Sequence, residues 1–163
     1  MAKNKEEKTN VMRVLDQKKI AYTAHTYPHE EGVAVDGVTV AKSMGFDPAI
    51  VFKTLVARGA SKQYYVFDVP VAENLDLKKA AKAVGEKSIE MIHQKELLPL
   101  TGYVHGGCSP VGMKKLFPTV FHETAENLET MIVSAGKIGY QVELAPHDLA
   151  ALVRAKFADI IVE

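Results

Sequence analysis

Residues 51–69 constrain the fold more than any other stretch of the chain. Val51-Phe-Lys-Thr-Leu-Val-Ala57 and the run 63–69 are two apolar segments of strand length, separated by a turn over 59–62. Such a pair closes as a hairpin. Strand alternation places Val51, Lys53 and Leu55 on one face and Phe52, Thr54 and Val56 on the other. Lys53 therefore stands mid-strand among apolar neighbours, where an ammonium is costly unless it is paired or opens on a cleft. The competing reading is an edge-strand lysine that snorkels to water and blocks aggregation.

Around this hairpin the pattern predicts short helices and strands in mixed order. A short amphipathic helix over 10–19 starts from a cap at Thr9 or Asn10, and a strand over 21–27 ends at Pro28. Residues 29–37 read as a loop, and 38–44 as a helix closed by Gly45. Asp47-Pro48 opens another short turn. A clear helix follows, capped by Asp76, with Leu77, Ala80, Ala81 and Val84 as its stripe and Gly85 as its stop. Further strands are expected at 89–92, 119–121, 131–133, 140–144 and 157–162. Helical segments are expected at 94–98, ending near Pro99, and at 146–154, with a loop or helical turn over 123–129. The absence of a regular βαβ rhythm argues for one domain of mixed α+β class with a sheet of mixed direction.

Residues 102–115 carry the strongest local signal for a site. Tyr103 and Val104 read as a short strand, Gly106-Gly107 as an open turn, and Ser109-Pro110 as the N-cap and first residue of a helix. Uncovered backbone amides beside a helix start suit an anion, or a carbonyl oxygen becoming one. The plainer reading is a turn that needs glycine only for its dihedrals.

Composition narrows the function classes. Lys+Arg and Asp+Glu are both 20, giving zero net charge, whereas a duplex-wrapping protein is strongly basic. DNA is therefore not an expected partner, and any nucleic-acid contact should be local or shared with another protein. A single cysteine excludes an internal disulfide and fits a reducing interior. Residues 1–9 lack the apolar core of a signal peptide, and no run reaches membrane-spanning length. These features read as a cytoplasmic protein. His25, His29, His93, His105, His122 and His147 show no ligand spacing, so no metal is expected. Lys78, Lys79, Lys82, Lys87, Lys114 and Lys115 fit phosphate contacts or solvated helix faces equally well.

An ordered set of motifs resembles the YbaK/EbsC family of freestanding aminoacyl-tRNA deacylases, related to the editing insertion of prolyl-tRNA synthetase. It comprises His25-Thr-Tyr27, Phe52-Lys-Thr-Leu55, Leu75-Asp-Leu-Lys-Lys-Ala-Ala-Lys82 and Val84-Gly85. It continues through Glu90-Met91, Thr101-Gly-Tyr103, Gly106-Gly-Cys-Ser-Pro-Val-Gly112, Ser134-Ala-Gly-Lys137 and Ala155-Lys-Phe-Ala-Asp-Ile160. The resemblance implies a mixed, partly barrel-like sheet flanked by helices, with a cleft for the aminoacylated 3′ end of tRNA and no cofactor. Lys53 matches the family's essential lysine and Thr54 its substrate-binding neighbour. Tyr27, Gly106 and Ser134 match pocket positions, and Gly107 and Ser109 belong to the same motif. Three departures concern amino-acid preference: the loop Gly32-Val-Ala-Val-Asp-Gly37 lacks an aromatic, Ala135 replaces a glycine, and Gln141 stands where some members carry an acid.

The nearest branch by resemblance clears cysteine mischarged onto proline tRNA, with the substrate's own thiol attacking the ester. An intramolecular nucleophile leaves the protein to orient and stabilise. Lys53 would hold the carbonyl, or a nearby oxygen or phosphate, or act as a base. The Gly106–Gly107 amides would stabilise the oxyanion. Cys108 reads as a small buried hydrophobe rather than a nucleophile. A complex with prolyl-tRNA synthetase is implied by the resemblance; the oligomeric state is left open. The rivals are a deacylase for alanine or serine on tRNA, and a non-catalytic nucleotide-binding module.

Overall fold

The computed structural model describes residues 8–163, so most of the polar stretch 1–9 lies outside the described residues. Two sheets carry the strands. One has three strands, β1 (Thr23–Thr26), β7 (Tyr140–Leu144) and β6 (Met131–Ser134), in the order β1-β7-β6. The other has five: β4 (Ile89–Met91), β2 (Phe52–Gly59), β3 (Tyr64–Pro70), β5 (Thr119–His122) and β8 (Ala155–Ala158), in the order β4-β2-β3-β5-β8. β2 and β3 form the expected hairpin, with Lys53 opposite Val69 and Thr54 opposite Asp68. β5 pairs in parallel with both β3 and β8, so the sheet is mixed. A parallel bridge between Val51 and Ile132 joins the two sheets at one corner, which bends the strands partly around a shared core without closing a barrel.

Helices cover this frame. α1 (Asn10–Gln17) starts where the Thr9 hydroxyl accepts the Met12 amide, and buries Val11, Met12 and Leu15. They join Phe52, Phe121, Tyr103 and Phe117 in the main core. α2 (Gly37–Met44) is capped by Asp36 and packs Ala41 near Val51, Val71 and Ile132 at the junction of the sheets. In α3 (Leu77–Val84) the Asp76 carboxylate accepts the Lys78 and Lys79 amides, a cap worth about 1 kcal/mol. Its buried Ala80 and Ala81 meet Phe67, Val69 and Ile89.

Three sequence expectations need correction. The helix expected to end near Pro99 runs through it as α4 (Gln94–Thr101) and stops at Gly102. Proline there removes one bond, the one to the Lys95 carbonyl, and the turn still closes through the Gly102 amide to Leu98. The final strand begins at Ala155, because α5 (Pro146–Val153) ends in a left-handed Arg154 and the chain enters β8 at once. The third correction is the largest. Tyr103 and Val104 form no strand, and Ser109-Pro110 starts no helix. The Ser109 hydroxyl accepts the amide only two residues on, at Val111, and the Val111 carbonyl accepts the Tyr103 hydroxyl. Gly112 is left-handed at φ 78°. Residues 103–117 are thus an irregular wall, pinned by Tyr103, Cys108, Val111 and Phe117 in the main core. The anion site expected at a helix start therefore does not exist here.

Candidate active site

A cavity of about 280 Å³ opens where the two sheets meet α2 and the 103–117 wall. Tyr27, Lys53, Thr54, Gly106 and Ser134 all line it, joined by His105, Cys108, Gln141 and an apolar rim that includes Val40, Val71 and Leu97. Five of the seven site residues named from the sequence thus come together from four separate segments. Gly107 and Ser109 stand behind the wall rather than on it. Ser109 is fully buried, its oxygen spent on the Val111 amide. The Gly107 amide donates to the Val104 carbonyl at 2.9 Å, closing a turn.

Gly107 has a different use, which is close approach. A Cβ there would sit 3.1 Å from the Ile138 nitrogen and 3.3 Å from the Lys137 backbone, so the two glycine corners stack main chain against main chain. Gly106 turns at φ 90° with Ala34 of the 29–37 loop packed on it. Its amide has no hydrogen-bond partner among the described residues, and neither have those of His105 and Cys108, which line the same wall.

Lys53 is half-buried and makes no ion pair within 4 Å among the described residues. Burial pushes its pKa down, opposed by the charge of Glu73. Of the two structural readings of this lysine, the cleft-facing one holds. The lysines of α3 and of residues 114–115 do not line the cavity. Lys79 is engaged with Asp159 and the Ile161 carbonyl, and Lys114 with the Pro99 carbonyl.

Ser134 lies opposite Gln141 on β6 and β7, and its oxygen accepts the Gly136 amide. The Gln141 carbonyl oxygen is buried with no partner among the described residues. Cys108 is 8% exposed, and burial first, with the Asp68 charge second, pushes its thiol up to about 12. At neutral pH that leaves on the order of one molecule in 10⁵ as thiolate, the reactive form.

Behind Thr54 lies a residue that the sequence reading passed over. Asp68 is fully buried on β3, flanked by Phe67 and Val69. Its Oδ1 accepts the Thr54 hydroxyl, and its Oδ2 has no partner among the described residues. The signal was available: an aspartate inside the run Tyr64–Pro70 poses the same question as Lys53 inside 51–57. Burial pushes its carboxyl from 3.8 up to about 7, against the Thr54 bond. Between those values the folded chain holds a proton that the unfolded chain has released. Stability therefore falls as pH rises from about 4 through 7, by on the order of 4 kcal/mol at most. We expect Asp68→Asn, which cannot ionise, to melt above the wild type at pH 8, with the gap closing towards pH 4. Thermal unfolding across pH tests this; parallel pH profiles for the two proteins would refute it.

Residues 32–152 match the model of the aminoacyl-tRNA editing domain. The chain is 45% identical over 161 residues to an Enterococcus faecalis protein provisionally named Cys-tRNA(Pro)/Cys-tRNA(Cys) deacylase EbsC, covering 98% of both chains. Its fold matches a crystal structure described, again provisionally, as a trans-editing enzyme for prolyl-tRNA synthetase. That match has TM-score 0.79 and 24% identity, over 94% of this chain and 95% of the other. A crystallised hypothetical protein matches at TM-score 0.82 with 18% identity, over 93% and 99%. The structural likenesses show the fold, and the family match and the 45% identical relative, with the ordered motifs, place the chain in the aminoacyl-tRNA editing domain family, in the YbaK/EbsC group that its motifs resemble.

Proposed function

We propose that this protein is a trans-editing aminoacyl-tRNA deacylase that hydrolyses the ester of cysteine mischarged onto proline tRNA, with the cavity around Lys53 as its active site. The observation that carries this reading is the convergence of an unpaired, half-buried lysine and an unspent Gly106 amide on one open cavity. The near full-length relative bears a name for this activity.

In this reading neither Cys108, held as a thiol, nor Thr54, whose hydroxyl is bonded to Asp68, is the nucleophile. The chemistry then falls to the substrate. Its thiol sulfur bonds to its own ester carbonyl carbon, and the ribose oxygen departs carrying the proton. Water afterwards releases the free amino acid. Such intramolecular attack leaves the protein to hold the reacting groups in line. The Lys53 ammonium orients the carbonyl oxygen or an adjacent phosphate, and the Gly106 amide stabilises the negative charge as it forms. Gly107, committed to Val104, takes no part in that stabilisation, and the amides of His105 and Cys108 on either side, which like that of Gly106 have no hydrogen-bond partner among the described residues, are available to share it. Zero net charge leaves little long-range pull on tRNA, which fits recognition shared with prolyl-tRNA synthetase.

The test is deacylation of Cys-tRNA(Pro) beside Ala-tRNA(Pro), with and without the synthetase. We expect the cysteinyl ester to be cleaved faster, and Cys108→Ser to stay within about threefold of the wild type. An inactive Cys108→Ser would overturn the substrate-thiol account. Equal cleavage of the alanyl ester would shift the reading to a deacylase for a side chain without a thiol.

A further inference from the structure

Nothing in the scheme above uses Asp68, yet it is the least expected side chain beside the cavity. A buried carboxyl with one donor, on a strand paired on both sides, is costly to keep. Among the described residues its side chain accepts one hydrogen bond, from Thr54, its direct cross-strand partner. A hydroxyl has one proton. Once Thr54 gives it to Asp68, its oxygen can meet the cavity only through lone pairs.

Lys53, one residue earlier on the same strand, also lines the cavity although alternation turns its side chain the other way, so the cavity offers both a cation and an electron-rich hydroxyl backed by a carboxyl. An aminoacyl ester carries the complementary pair: a carbonyl that draws electrons and an α-ammonium that donates hydrogen bonds. Asp36, the acid on the cavity rim itself, holds the Thr39 amide and hydroxyl with its two oxygens.

We infer that Asp68 is a positioning residue, which fixes the Thr54 oxygen as the acceptor for the α-ammonium of the aminoacyl ester. This rests on reading the cavity as an aminoacyl-tRNA site. It adds a reason for the enzyme to prefer esters of free amino acids over acyl groups that lack the amine. The buried Gln141 oxygen, reaching in from the other sheet, is a neutral acceptor that Asp68 does not touch. If Gln141 alone held the ammonium, changes at Asp68 would leave the preference intact.

The experiment compares kcat/KM for cysteinyl-tRNA(Pro) and for the 3-mercaptopropionyl ester of the same tRNA, which keeps the thiol and lacks the amine. The wild type should favour the cysteinyl ester by about 10- to 100-fold, the range of one charge-assisted hydrogen bond. Thr54→Val and Asp68→Val should each bring that ratio to within about threefold, and the double variant should lower it no further. Asp68→Asn, whose amide oxygen still accepts the Thr54 proton, should keep most of the preference, which a merely structural role for Asp68 does not require. Melting curves establish that each variant folds, and Asp68→Ala replaces Asp68→Val if the valine does not fit. An unchanged ratio in Thr54→Val or in the apolar Asp68 variants would overturn the inference, as would Asp68→Asn losing as much as Asp68→Val. If the wild type cleaves neither of these thiol-bearing esters, the alanyl and propionyl esters repeat the comparison. If it cleaves no aminoacyl ester at all, the reading of the cavity fails first and this inference falls with it.

Discussion

Lys53→Ala should lower kcat/KM on Cys-tRNA(Pro) by about 10²–10³ while leaving the melting temperature equal or higher, as removal of a charge-stabilising donor does elsewhere. The two halves of this expectation have one cause. The ammonium is half-buried, its pKa is held down by burial, and no carboxylate comes within 4 Å among the described residues. In the folded protein alone it is a cost, so deleting it does not destabilise. Its worth appears only when an oxygen of the substrate arrives. Lys53→Arg should recover little, because a planar five-donor fork does not replace a compact charge on a short approach. Single-turnover deacylation with a parallel melting curve decides the matter. Activity of the alanine variant within tenfold of the wild type would make Lys53 a bystander that merely faces the cleft.

The second large effect is expected at Gly106. A Cβ on this residue would lie 2.8 Å from the Ala34 Cβ and 3.1 Å from its Cα, with the backbone at φ 90°. Left-handed strain costs about 1–2 kcal/mol, and the collision forces the wall and the 29–37 loop apart. Misplacement of a catalytic donor by an ångström is enough to cost about 100-fold, and we expect Gly106→Ala to lose about that much in deacylation, with a melting temperature lower by roughly 2–8 °C. Gly102→Ala separates the two causes. Gly102 has φ 89°, but its nearest neighbours are Lys114 side-chain atoms at 3.5 Å and 3.6 Å. It should show the loss of stability without the loss of rate. If both variants deacylate equally well, the geometry of Gly106 is not part of the catalytic site.

Together these substitutions separate two properties of the 103–117 wall, its amide and its shape. The sequence reading gave both paired glycines the same role, as amides for the oxyanion. Gly106 keeps an open amide beside the cavity, and Gly107 instead lets this loop lie flat on the corner at 137–138. Ser109-Pro-Val-Gly112 is compatible with a helix cap and with a two-residue side-chain turn, since the same hydroxyl serves either. The Tyr103 hydroxyl selects the turn by taking the Val111 carbonyl, a contact across the loop that no local pattern reveals.

What the sequence determined by itself is what depends on near neighbours. Alternation and a tight turn specify the 52–70 hairpin, a cap and a stop specify α3, and an ordered string of motifs specifies the family. Lys53 was conspicuous because a charge interrupts an apolar strand. Its surroundings were not legible, since Ser134, Gln141, Gly106 and Tyr27 reach it only after the Val51–Ile132 bridge brings the two sheets together. Asp68 shows the same division. Its position in an apolar strand is written in the chain, but its burial depends on β5 arriving from fifty residues downstream to pair in parallel with β3. Without that neighbour β3 would be an edge and Asp68 free to reach water. With it the carboxyl is enclosed and left with Thr54 as its one donor, so the low-dielectric packing of distant strands turns an ordinary acid into part of the site.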